Sequence, residues 1–194
     1  ATPEPLFSIR SGELTTMALA GARSLDRVRE LLDDPKEQAE HQMVVEDITE
    51  QLTPFGVPEV GPTTVVELPG LAHLKTAIAL RPDRAPGFEE IVAALHPTAA
   101  LGSAPRNPAA AAWLRWADHG VGRREFGAPF GALFPNGDAL CLVGIRNVSW
   151  SGLQVRIGAG AGVLAGSRME MERKELARKR EQVRGLFGLE ENPS

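Results

Sequence analysis

Residues 130–134 and 139–148 form two apolar runs joined by Pro135-Asn136-Gly137-Asp138. An Asn-Gly pair accepts the positive φ values that a tight hairpin turn demands, so the two runs are predicted to pair antiparallel. Parallel pairing would need a crossover of a dozen residues or more, and four residues cannot supply it. A second turn signal, Ser151-Gly152, leads to another strand-like run at 153–157, followed by a charged helix. Three successive antiparallel strands ending in a helix point to an α+β meander rather than a parallel α/β sheet.

The rest of the chain fits that class. Residues 6–10 and 14–20 flank Ser11-Gly12 and read as a hairpin. Residues 25–34 carry a short helical pattern ending at Pro35, and a longer helix is predicted over 36–52, stopping before Pro54. Runs 65–68 and 71–80 look like strands broken by Pro69-Gly70. Residues 87–95 place Phe88, Ile91, Val92 and Leu95 on one helical face, and 108–119 form an alanine-rich helix started by Pro108. The expected fold is therefore a mainly antiparallel sheet with packed helices. Residues 1–189 belong to one domain and 190–194 to a flexible tail.

With 194 residues and 43% hydrophobic content the chain can bury one ordinary core. A net charge of −4 argues against nucleic acid as a partner. The lone Cys141 excludes an internal disulfide, fits a reducing cytoplasm, and sits in an apolar run as a small core residue. No apolar stretch reaches membrane-spanning length and no secretory leader pattern is present, so neither a membrane nor export is expected. The chain runs almost at once into a strand, without an initiator methionine, as though it begins mid-fold.

Two helices place acids on apolar rows. In the last one, Glu172, Glu175 and Lys179 share a face with Leu176, Val183 and Leu186, just after the small-residue segment Ala159-Gly160-Ala161-Gly162-Val163 and Ser167. Such a face is either a half-solvated surface or a buried anion site assisted by a metal. In the 36–52 helix, stepping back by four from Leu52, Ile48 and Val44 lands on Glu40. Glu40 alone could serve the helix dipole in the first turn. With Glu172 and Glu175 also on inward rows, a hard cation such as Mg²⁺ becomes a candidate, since it accepts few carboxylates and completes its shell with water and substrate.

These residues lie within a collinear set of motifs: Thr2-Pro3-Glu4, Met17-Ala18-Leu19-Ala20-Gly21, Pro35-Lys36-Glu37 leading to Glu40-His41, Ala72-His73-Leu74, Leu95-His96-Pro97-Thr98, Pro105-Arg106, Ile145-Arg146, and the final Ala-Gly segment with its helix. In that order they resemble the C-terminal part of the isochorismate synthases, within the chorismate-binding enzymes that include anthranilate and aminodeoxychorismate synthases. The resemblance implies chorismate as substrate and Mg²⁺ as cofactor. Glu40 and Glu175 would be metal ligands, and Glu172 a nearby, water-mediated one. Glu4 would be the general acid that protonates a departing hydroxyl. Arg146 would hold a substrate carboxylate, and Lys179 with the backbone of Gly160 and Gly162 would hold further substrate oxygens. His73 would line the pocket, and Gly21 would keep its wall open. Without the resemblance, His73 reads as a core histidine, Arg146 as a solvent-facing strand residue, and His41 and His96 as structural.

The family's water-activating lysine lies upstream of the Thr-Pro-Glu match, and the N-terminal half of the family domain is absent from this sequence. A partner chain could supply it. Ala22 stands where the family usually has a hydroxyl, Arg23-Ser24-Leu25-Asp26 keeps only the arginine, Arg173 stands in place of an aromatic, and Leu176 in place of a threonine. Three expectations follow: a piece of an isochorismate synthase, a remnant that binds chorismate-like anions or a partner without turnover, or a member with an aminating reaction. The Leu-His-Pro-Thr segment favours hydration over amination. Of the pathways that isochorismate feeds (menaquinone, siderophores, salicylate), the Met17–Gly21 wording favours menaquinone.

Overall fold

A computed structural model describes residues 3–68, 71–117 and 122–189. The expected Pro69-Gly70 break, the end of the alanine-rich helix at His119, and the tail 190–194 lie outside the described residues. Six strands form one sheet: β1 (Glu4–Arg10), β2 (Glu13–Ser24), β3 (Glu59–Leu68), β4 (Leu71–Leu80), β5 (Pro129–Leu133) and β6 (Ala139–Val143). Their spatial order is β3-β4-β2-β1-β6-β5, and every neighbouring pair is antiparallel. The mainly antiparallel α+β class expected from the turn signals is what forms.

Strand alternation decides which face is covered. On β2, Leu14, Thr16, Ala18 and Ala20 point inward, and on β6, Ala139, Cys141 and Val143 do, with Leu140 between them exposed. Helices α1 (Pro35–Leu52) and α2 (Phe88–Leu95) close this face. Val44, Ile48 and Leu52 of α1 and Ile91 and Leu95 of α2 meet Leu6, Phe7, Leu14 and Leu80 of the sheet. The Phe7 and Phe88 rings lie 5.3 Å apart and tilted. Fully burying each such side chain is worth about 1.5–3 kcal/mol, and this one cluster supplies most of the driving force. His41 is structural, as expected: its Nε2 lies 2.7 Å from the Thr76 hydroxyl.

α1 starts where its sequence is built to start. Asp34 caps it by accepting from the backbone N–H groups of Lys36 (2.9 Å) and Glu37 (3.3 Å), and Pro35 fills the first position, where no donor is needed. The pattern before it gives less than predicted. Instead of a helix over 25–34 there is a six-residue 3-10 turn, Leu25–Glu30, interrupted at Arg27 (φ −119°, ψ 21°). Asp34 and Pro35 serve the next helix and cannot also extend this one.

Two further expectations are corrected. β3 begins at Glu59, six residues ahead of the predicted 65–68 run. β3 carries Gly61 and Pro62, but it is an edge strand whose ladder shifts register between Val60 and Thr63, so a proline lacking an N–H is tolerated there. The predicted strand 139–148 is two strands. β6 ends at Val143, and β7 (Val148–Ser151) pairs with β8 (Gln154–Ile157) in a separate two-stranded ribbon. The meander is therefore broken after its first hairpin. The chain continues through α4 (Met169–Phe187), while α3 (Pro108–Ala117) follows α2. On α4, Val183 is buried but Leu186 is 57% exposed, so the predicted apolar row stops one turn short.

Candidate functional site

The expected site residues come from seven segments. Glu4 opens β1, and its register partner on β6 is Val143. Arg146 follows three residues after that strand ends and takes a left-handed backbone, φ +48°. Its Nη2 donates to Glu4 Oε1 at 2.8 Å, so two residues 142 positions apart are brought together. The solvent-facing reading of Arg146 is overturned, since its side chain is only 18% exposed.

Gly21 sits in a β2 bulge with φ +72°, where the ladder to β4 shifts between Ala20 and Ala22. His73, the ladder partner of Ala22 just past the bulge, is buried and hydrogen-bonds the Gly21 backbone. A side chain at Gly21 would put its Cβ 2.9 Å from the Glu37 carbonyl oxygen, so glycine permits the close approach of α1 to β2. Burial, with Arg146 and Lys179 nearby, pushes His73 down to about 4. His73 is thus a neutral hydrogen-bonding group above that value.

This shift carries a stability signature. Between pH 6.5 and about 4 the unfolded chain takes up a proton at His73 that the folded chain refuses, so stability falls as pH drops through that window. The full effect is about 3 kcal/mol at the low end. Urea unfolding of the native chain and of His73→Gln at pH 7 and pH 4 is expected to show a smaller loss in the variant. Equal losses would contradict a buried neutral His73.

On the other side of the site, α1 presents Lys36, Glu37 and Glu40, and α4 presents Glu172, Glu175 and Lys179. Lys36 Nζ reaches Glu172 at 3.1 Å and Glu37 at 3.8 Å. Lys179 Nζ is held by Glu175 at 2.6 Å and by the Gly160 carbonyl oxygen at 2.9 Å. The glycine segment closes over Glu40: a Cβ on Gly162 would lie 2.4 Å from Glu40 Oε1. Burial raises the Glu40 pKa, and the charges of Glu37 and Glu175 raise it further, against the opposing pull of Lys36 and Lys179. Glu4 is raised as well, chiefly by burial, although Arg146 and Lys179 work in the other direction. Lys179 therefore acts on both the Glu4 and the Glu40 sides.

The three expected metal ligands do not converge as a ready trio. Among the described residues no three His, Cys, Asp or Glu side chains are grouped to hold a metal ion. Glu172 is engaged by Lys36, while Glu40 and Glu175 remain close enough to repel one another. A half-buried carboxylate crowded by two others nonetheless fits a hard divalent cation that takes one or two protein carboxylates and completes its shell elsewhere.

Glu37 is a buried acid beside the site to which sequence reasoning gave no role. It is buried, accepting from the Ala22 backbone N–H at 2.7 Å and from Arg23 Nη1 at 2.7 Å. Arg23 also pairs with Asp34, so the end of β2 is bound to the cap of α1. The signal was present: an acid three residues after the capping Asp34 and three before Glu40. Lys36, which restrains Glu172, was likewise unassigned.

A family model described as chorismate binding enzyme matches residues 1–187. The salicylate biosynthesis isochorismate synthase of Pseudomonas aeruginosa is 36% identical across the whole chain and 43% of the relative's length. The isochorismate synthase MenF of Haemophilus influenzae is 31% identical over 98% of the chain and 46% of its own length. Among solved structures, the menaquinone-specific isochorismate synthase MenF of Escherichia coli superposes with a TM-score of 0.84 at 29% identity, covering 96% of this chain and 44% of that one. The chain spans a little under half the length of these relatives.

Proposed function

The chain belongs to the chorismate-binding enzyme family, and on that premise we propose that it carries the acid, carboxylate-binding and cation subsites of an isochorismate synthase. The observation that supports this most is the placement of Glu4. A half-buried carboxyl with a raised pKa lies 2.8 Å from a guanidinium that can hold a substrate carboxylate. An acid whose pKa is raised by burial, beside an anion-binding fork, suits protonation of a leaving hydroxyl on a carboxylate-bearing ring.

In the proposed reaction a water oxygen bonds to one ring carbon of chorismate, the ring double bond shifts, and the bond to the departing hydroxyl breaks with its electron pair on oxygen. Glu4 delivers a proton to that oxygen, so it leaves as water. Arg146 fixes a substrate carboxylate, and neutral His73 lines the wall beside Glu4. Lys179 and the backbone of Gly160 and Gly162 take further substrate oxygens. By resemblance, activation of the attacking water falls to a lysine upstream of Glu4. Glu40 and Glu175 would hold Mg²⁺, with Glu172 freed from Lys36 as a partner through water. When bound, the ion would screen the substrate carboxylate and fix the ring. The Met17–Gly21 wording points to menaquinone as the destination of the product, whereas the 36%-identical relative is named for salicylate; the chemistry is common to both.

The test is conversion of chorismate to isochorismate, followed by chromatography, with Mg²⁺ and with chelator. It is run on this chain and on this chain combined with a polypeptide covering the rest of the relatives' length. Mg²⁺-dependent product in either arm is expected. No product in both, with the combined protein folded, would overturn the proposal.

A further inference from the structure

We propose that His96 is a positioning residue for the subsite built around Arg146: its ring holds the turn at 125–128, and that turn aims the arginine. This rests on the reading of Arg146 as the carboxylate-binding group. His96 caps the C-terminus of α2, and its Nε2 lies 2.7 Å from the Gly127 carbonyl oxygen.

Helix termination does not require this ring. The α2 carbonyl oxygens of Ala94 and Leu95 already accept from Arg106 at 2.8 and 3.0 Å. Arg106 is itself clamped by Asp47, which also accepts from the Ala99 backbone N–H at 2.9 Å. The local fold is thus tied down by other groups, and the His96 ring is directed at a different part of the chain.

From Gly127 the connection to Arg146 is short. Gly127 N–H donates to the Gly144 carbonyl at 2.8 Å, and Gly144 N–H donates to the Ala128 carbonyl at 2.9 Å. The Asn147 side-chain amide donates to the Glu125 carbonyl at 3.3 Å. Arg146 lies between these anchors, in the left-handed conformation that a non-glycine residue holds only when its surroundings fix it. The same turn supports the opposite wall, because the Phe126 ring packs on Gly158 and Gly160, leaving no room for a Cβ on Gly158. Gly160 is the residue whose carbonyl holds Lys179. One histidine outside the site thereby sets the aim of both cationic groups.

Two readouts test this. The first, in the ligand-free chain, is the NMR resonance of the Arg146 guanidinium, assigned by comparison with Arg146→Lys. The Glu4 pair is expected to hold it in a slow-exchanging state that His96→Ala loses and His96→Gln, which keeps a donor, partly restores. The second is chorismate turnover, in which His96→Ala is expected to raise KM about tenfold with kcat within about threefold. If His96→Ala does not fold, Gly144→Ala enters the turn from the other side, since its Cβ would meet the Glu125 carbonyl at 2.8 Å, and the same two shifts are expected. An Arg146 resonance unchanged in whichever variant folds overturns the inference, as does an equal fall of kcat in both His96 variants with KM unchanged. If neither the native chain nor its combination with a polypeptide covering the rest of the relatives' length turns over chorismate, the proposed reaction fails, and the resonance alone decides the role of His96.

Discussion

Glu4→Gln is expected to lower kcat for chorismate by about 10²–10⁴-fold, the range that general acids supply, while chorismate still binds within a few-fold of the native affinity. The amide keeps the shape of the carboxyl and can still meet Arg146, but it has no transferable proton. The fold should tolerate the change. Burial already works against the charged form of Glu4, and the Arg146 pair only partly offsets it. A paired measurement of kcat and of chorismate affinity by calorimetry separates the two effects. Retained turnover in Glu4→Gln would remove Glu4 as the acid, and a collapse of affinity alone would make it a binding residue.

Gly162→Ala is expected to cost as much by another route. The new methyl would stand 2.4 Å from Glu40 Oε1 and 2.8 Å from its Cδ, inside any allowed contact. Either the glycine segment retreats, carrying Gly160 away from Lys179, or Glu40 turns out of the site. Both damage the proposed cation subsite, and a misplacement of about 1 Å at such a site can cost about 10²-fold in turnover. The expected signature is a loss of about 10²-fold in kcat/KM with a weaker Mg²⁺ dependence, read from titrations of activity and from calorimetry with Mg²⁺ alone. Gly166→Ala is the control in the same connection, since nothing lies within 4 Å of its added Cβ. Equal behaviour of the two variants would contradict the close approach to Glu40.

What the sequence made legible was whatever depended on neighbours a few residues away. The Asn-Gly hairpin formed as read, with Gly137 N–H donating to the Phe134 carbonyl at 2.9 Å. The four-residue spacing of Glu40, Val44, Ile48 and Leu52 did place an acid at the end of a buried row. What failed depended on distant partners. The end of β6 at Val143 is decided by hydrogen bonds from Gly144 to the 125–128 turn, which no local pattern announces. Leu186 looked inward because the periodicity continued, but the body of the protein does not reach that far along α4. Glu37 was passed over because its partners, Ala22 and Arg23, sit on another element, 15 and 14 residues away. Arg146 was read by strand alternation, yet the strand ends before it.

The ion pairs that close the site join residues far apart in the sequence. Arg146 and Glu4 are 142 positions apart, and Lys36 and Glu172 are 136 apart. Contacts of such separation carry the largest loop-closure cost, so they form late, after the local hairpins and helices are in place. A chain still on its way to the native state has hairpins and a partial core but no paired acid and no closed carboxylate cluster. The proposed acid and cation subsites are thereby tied to complete folding, and a partly folded molecule would hold neither.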